Sequence, residues 1–211
     1  MQLNSLGTQS AISINQQCDI DNLSLIHCVD VIAGYQTPVV GPVSFSVKPN
    51  EKLIISGTNG CGKSTLLKMI IGSANLLEGK VLKADGLTVA YQPQSPKRLA
   101  EMPITGYEYL RLMSPADTTA IPEQLRRYLH RRVDQLSGGQ FQLLSTWSNL
   151  SSNNALVLLD EPTNNLDKKA VNILIDCIEQ MPANHGLIIV SHDSKFIQQI
   201  NAFNLELSPW S

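Results

Sequence analysis

An α/β fold, built on a parallel sheet with helices on both faces, is predicted by three features of the sequence. The last third alternates Val/Ile/Leu runs, Ala155–Leu159 and Gly186–Val190, with a helical period over Lys168–Met181. Both runs are apolar without a break, as strands buried on two faces are. Upstream, Gly57-Thr58-Asn59-Gly60-Cys61-Gly62-Lys63-Ser64 sits between an apolar run, Leu53–Ser56, and a helical stretch, Thr65–Ile71. Strand, Gly-x-x-x-x-Gly-Lys-Ser and helix together make a P-loop. Its glycines let backbone N–H groups turn inward around an anion, and the helix start adds unpaired donors and a positive dipole end. Lys63 would set a point charge on β- and γ-phosphates, and Ser64 a hydroxyl on Mg²⁺.

The remaining elements follow in order. Residues 1–22 are rich in Gln, Asn and Ser, lack Lys and Arg, and read as a flexible tail before a domain over 23–211. Leu25–Val31 reads as a strand, and Val43–Val47 alternates as a half-buried one. Between them Tyr35 is a surface or core aromatic, or one suited to stacking on a base. Leu77–Val81 reads as a loop entering a short strand, and Leu87–Tyr91 as a strand ending in Gln92-Pro93-Gln94. Four prolines then punctuate a helical region with pieces at Thr105–Met113 and Pro122–Leu129, after which His130 reads as a dipole-favoured surface residue. Leu136-Ser137-Gly138-Gly139-Gln140 opens a helix that runs through Leu150. In the helix from Lys168, Val171, Leu174, Ile175 and Ile178 share a face; Ser194–Ile200 is a short helix and Phe203–Leu207 a closing strand.

Composition narrows the function classes. Of 211 residues 43% are apolar and 16% charged, with a net charge of −2. The densest basic cluster is Arg126-Arg127 with Arg131-Arg132, so no nucleic-acid partner is expected. Cys18, Cys28, Cys61 and Cys177 are scattered, without zinc-site spacing, which fits a reducing compartment. No apolar run is long enough to span a membrane and no signal peptide is expected, so direct membrane insertion is not expected either. Any membrane part would come from another chain.

Three further groups carry chemistry. Asp160-Glu161 ends a buried strand, and ligands of such sheets bind beyond the carboxyl ends of strands. Asp160 suits Mg²⁺, and Glu161 suits a general base acting on water. His192 repeats the placement after the next strand, as a γ-phosphate partner or a plain loop residue. Ser137, Gly138 and Gly139 make either an ordinary helix cap or a second anion-binding terminus.

Over about residues 23–207 these motifs resemble an ATP-binding cassette (ABC) ATPase domain. Leu136–Gln140 matches its LSGGQ signature unchanged, and Asp160–Asp167 is similar to its Walker B motif and D-loop. The resemblance implies a P-loop NTPase with a RecA-like core, an antiparallel β subdomain and a short helical subdomain over about 96–150. It implies ATP and Mg²⁺ as ligands. Gly57, Thr58, Asn59, Gly60, Cys61, Gly62, Lys63, Ser64 and Thr65 would bind nucleotide, with Tyr35 stacked on adenine. Ser137, Gly138, Gly139 and Gln140 would act on ATP held by a second cassette, implying a homodimer or a related ATPase partner. Glu161, the switch His192 and the Q-loop Gln94 would be catalytic, and Ser64, Gln94 and Asp160 would hold the metal. Gln92 is a second, weaker match for the Q-loop. The family usually carries arginines after the signature; here Phe141-Gln142-Leu143 lacks the first and Ser145-Thr146-Trp147-Ser148 lacks the second.

Gln92–Gln94 with Met102–Leu112 looks like the ATPases of zinc and manganese importers. That implies an integral-membrane permease as partner and a place at the cytoplasmic face of the membrane. The competing resemblance is to soluble ABC-F translation factors, through Glu161–Asp167 and Ser191–Phe196. Those carry two cassettes and a long charged linker, whereas this chain has one cassette and little charge.

Overall fold

A computed structural model describes residues 24–96, 103–114 and 121–210. The tail expected over 1–22, with Cys18, lies outside the described residues. The strands are β1 (Ile26–Gly34), β2 (Pro38–Val47), β3 (Lys52–Gly57), β4 (Asn75–Lys83), β5 (Val89–Gln92), β6 (Leu156–Asp160), β7 (Gly186–Val190) and β8 (Phe203–Leu207). The helices are α1 (Lys63–Ile70), α2 (Gly106–Met113), α3 (Glu123–Leu129), α4 (Gly138–Leu150), α5 (Lys168–Glu179) and α6 (Ser194–Ile197).

The expected α/β architecture is present as a five-stranded sheet in the order β5-β6-β7-β3-β8, with every neighbouring pair parallel. A separate antiparallel sheet has the order β2-β1-β4. Successive side chains on a strand point to opposite faces, and the parallel sheet sorts them accordingly. Ile54, Val157, Leu159, Leu187 and Ile189 pack with α2 to α5 on one face. Leu53, Ile55, Leu156, Leu158, Ile188 and Val190 pack with α1 and the antiparallel sheet on the other. The register aligns Asp160 with Val190 and Ile55 with Val190, so β3, β6 and β7 end side by side. That alignment brings the P-loop, Asp160-Glu161 and His192 to one edge.

Some local expectations need correction. β4 is a nine-residue strand, because β1 pairs with it from Gly34↔Asn75 to Ile26↔Lys83. α6 stops at Ile197; beyond it the backbone tightens to i→i−3 bonds, Gln199 N–H to the Phe196 carbonyl and Ile200 N–H to that of Ile197. The buried stripe of α5 is Ile173, Leu174, Cys177 and Ile178, with Val171 and Ile175 only half-buried. α4 is buried nearly all round, Trp147 included, which makes it a core helix.

His185, just before β7, is buried and its ring Nδ1 has no hydrogen-bond partner. Burial holds its imidazole below the ordinary value of 6.5, against a hydrogen bond to the Leu150 backbone that raises it. The unfolded chain therefore takes up this proton first as pH falls. His185 contributes stability above pH 6.5 that drains away as pH drops through the lower folded-state value. Urea midpoints at pH 7.5 and 5.5 are expected to differ more for wild type than for His185→Gln.

Candidate functional site

The P-loop is shaped by backbone that only glycine adopts without a clash. Gly57 has φ 143°, and a Cβ there would lie 2.5 Å from the Leu207 carbonyl oxygen and 2.8 Å from Cys61 Sγ. Gly62, the cap of α1, has φ 94°, and a Cβ would meet Val40 Cβ at 2.5 Å. The resulting cleft of about 510 Å³ is lined by Asn59, Gly60, Gly62, Lys63, Ser64 and Thr65 from the loop and α1. Val39, Gln94, Glu161, Asn164 and His192 complete it. Lys63 is buried, and its Nζ donates to the carbonyls of Gly57 at 2.9 Å and Thr58 at 2.8 Å. The loop is thus wrapped around its own cation.

Beneath the loop, Ser64 Oγ donates to Asp160 Oδ1 at 2.8 Å and the Tyr91 hydroxyl donates to Oδ2 at 3.2 Å. Burial first, then the Asp160 carboxylate, pushes the Tyr91 phenol upward, so it stays a donor. These are hard oxygen donors. Among the described residues no group of three or more His, Cys, Asp or Glu is placed to hold a metal. One hydroxyl and one carboxylate suit a cation such as Mg²⁺, which keeps most of its shell from phosphates and water.

Glu161 follows Asp160 in the left-handed region, at φ 48°, and its N–H donates to the Val190 carbonyl at 2.9 Å. That turn aims the carboxylate at His192, whose Nδ1 lies 2.8 Å from both oxygens. The Glu161 side chain is 8% exposed and that of His192 48% exposed. The pair joins a sheltered acceptor to a residue that reaches solvent.

A second cleft, of about 770 Å³, opens at the start of α4 and is lined by Ser137, Gly138, Gly139 and Gln140. Ser137 Oγ accepts the Gln140 N–H at 3.3 Å, while Gln140 Oε1 accepts the Ser137 N–H at 3.0 Å. This is a capping box. The cap reading is therefore correct, and it still leaves early N–H groups of the helix without intrahelical partners. Arg127, Arg131 and Lys169 line the same cleft, opposed by Asp167. The loop from Glu161 to Asp167 joins the two clefts: Asn164 lines the first, and its neighbour Asn165, at φ 62°, lines the second.

Of the residues expected at the site, most gather in these two places. Gly57 and Thr58 do so indirectly, by holding Lys63 through their carbonyls. Cys61 is 1% exposed and packs into the core, so it would take part in the loop through its backbone N–H alone. A thiol-specific reagent is expected to leave Cys61 unlabelled in the folded protein, by mass spectrometry, with ATP affinity unchanged. Tyr35 is exposed and outside the cleft lining, its carbonyl accepting Asn75 Nδ2 at 2.6 Å. Gln94 lines the cleft while Gln92 is buried away from it, because β5 ends at Gln92 and Pro93 breaks the alternation. In the two stretches after the signature, Phe141–Leu143 and Ser145–Ser148, Gln142 donates to the Pro162 carbonyl at 3.2 Å and Trp147 fills the core. Sequence reasoning missed Tyr91, Asn164 and Lys169. Tyr91 carried a readable sign, a strand-end position close to the carboxylate strand.

A family model described as ABC transporter matches residues 40–164. A zinc import ATP-binding protein, ZnuC, of Roseobacter denitrificans is 35% identical over 182 residues, which span 83% of this chain and 69% of that protein. The ZnuC of Magnetococcus marinus is 31% identical over 195 residues, 85% of this chain and 75% of its own. Among solved structures, an ATP-binding subunit of an ABC transporter superposes with a TM-score of 0.73 at 25% identity, covering 87% of this chain and 86% of that one.

Proposed function

This chain belongs to the ABC transporter family of ATP-binding proteins, and from that premise we propose that it is one half of a two-chain, Mg²⁺-dependent motor for a membrane importer. As an ABC transporter ATP-binding subunit it binds and hydrolyses ATP. One observation carries the two-chain reading. The cleft with Lys63, Glu161 and His192 and the cleft with the α4 terminus are separate. Each is half of a phosphate site, and a two-fold pair of chains would bring unlike halves together.

In this reading Lys63 turns from its loop carbonyls to the β- and γ-phosphates, and the loop N–H groups from Gly57 to Thr65 surround them. Ser64, Asp160 and Gln94 would hold Mg²⁺, which when bound draws off charge developing on the phosphates. Tyr91 keeps Asp160 oriented. Glu161 accepts the proton of the attacking water, and His192 Nδ1 holds that carboxylate in place. Ser137, Gly138, Gly139 and Gln140 of the second chain close over the γ-phosphate, with Arg127, Arg131 and Lys169 adding positive field. The exposed Tyr35 ring is free to stack on adenine. Catalysis is mainly positioning and charge stabilisation.

The helical part over about 96–150 is the proposed permease-facing subdomain. Leu112 is 62% and Met113 54% exposed there, beside a groove of about 350 Å³ lined by Ile104, Glu108, Arg111 and Leu112. No helix of the described residues is long and apolar enough to cross a membrane, so a separate permease would hold the chain at the cytoplasmic face. The names of its relatives favour zinc as cargo and an importer over the ribosome-associated alternative. Affinity purification from detergent-solubilised membranes tests this. A multi-span protein should co-purify, and cells lacking the chain should fail to grow under zinc chelation. Recovery of ribosomes alone would select the other reading.

A further inference from the structure

We infer that Gln142 is a positioning residue that ties the signature helix α4 to the loop carrying Glu161, so that the occupant of one cleft is felt at the base in the other. This rests on the two-chain reading above. Gln142 is 6% exposed and lies little more than one turn into α4. Its Nε2 donates to the carbonyl of Pro162, the residue after Glu161. Glu161 and Asn165 flank this contact with φ 48° and 62°. Asn tolerates the left-handed region, but a glutamate holds it only where its surroundings impose it.

Gln142 does not act alone. Thr146 Oγ1 donates to the Gln142 backbone carbonyl at 2.9 Å and accepts Gln92 Nε2 at 2.8 Å. Gln92 and Thr146 are each 1% exposed. Asn149 Nδ2 adds a longer contact to Gln92 Oε1 at 3.4 Å. A buried line of neutral amides and a hydroxyl thus runs from the end of β5, just before Gln94, across α4 to the loop after Glu161. Such bonds depend steeply on distance and angle, and the low dielectric makes each costly to leave unmade. A sub-ångström shift of α4 must therefore stretch the Gln142 bond or carry Pro162, and Glu161 with it. The signature end of α4 also packs on this loop, since a Cβ on Gly139 would lie 3.2 Å from Leu166 Cδ2.

The test uses the full chain and Gln142→Met, which keeps length and burial but lacks the donor. Steady-state hydrolysis should show kcat reduced on the order of 10-fold, with KM and the affinity for a fluorescent ATP analogue unchanged. Cooperativity in ATP should be lost. A merely structural role would lower the melting temperature and leave that split and the cooperativity as they were, which would overturn the inference. Thr146→Val breaks the same line further along and should give the same split, so the test survives a Gln142→Met chain that fails to fold. The double variant should lose less than the two single losses combined. A cooperative wild type with unaltered variants sinks this inference alone. A wild type that is non-cooperative and monomeric at every concentration sinks the two-chain reading as well.

Discussion

Glu161→Gln is expected to stop turnover while leaving ATP bound and the two chains locked together. The substitution keeps the size of a side chain that is 8% exposed, and it keeps one acceptor oxygen for His192 Nδ1, now 2.8 Å from both carboxylate oxygens. What it removes is the ability to take a proton from water. Loss of a general base typically costs about 10²–10⁴ in rate, and none of that loss falls on the groups that grip phosphate. Size-exclusion chromatography with ATP and Mg²⁺ should show a dimer that persists, and single-turnover assays should show the missing chemical step. Turnover near the wild-type rate would remove Glu161 from the base role.

Lys63→Ala should fail one step earlier, at binding. The ammonium is the one loop group able to put a full positive charge on the phosphates, and its two bonds to the Gly57 and Thr58 carbonyls also hold the loop's shape. Charge-assisted hydrogen bonds are each worth about 1.5–3 kcal/mol, so ATP affinity should fall roughly 10- to 100-fold. Titration with a fluorescent nucleotide measures this directly. Wild-type affinity in the variant would mean that the loop N–H groups alone bind ATP. The two variants separate cleanly: Lys63→Ala binds ATP more weakly, whereas Glu161→Gln holds it and stays idle.

Legibility in the sequence followed the range of the interaction concerned. Val/Ile/Leu runs and helical periods reported the parallel sheet, because burial acts residue by residue along a strand. The P-loop was equally plain, since the strand, the glycines and the helix start that shape it are contiguous. The length of β4 was not legible, because nine residues with exposed or half-exposed side chains are held as a strand by pairing to β1. Nor was the direction of the Cys61 side chain, which packs into the core beside Gly57.

The sequence by itself determined the chemistry available to this protein: a phosphate-gripping loop, two strand-end carboxylates with a histidine, and a second helix start capped by Ser137. Backbone conformation at those points is set by neighbours a few residues away, where Gly, Ser and apolar runs act through sterics and local hydrogen bonds. The tertiary structure alone decided the partners. Tyr91 meets Asp160, Gln92 turns to Thr146 while Gln94 faces the cleft, and Gln142 reaches Pro162. Those pairings depend on the strand order β5-β6-β7-β3-β8 and on where α4 packs. Both are fixed by how apolar faces far apart in the chain bury one another, and no local pattern records that.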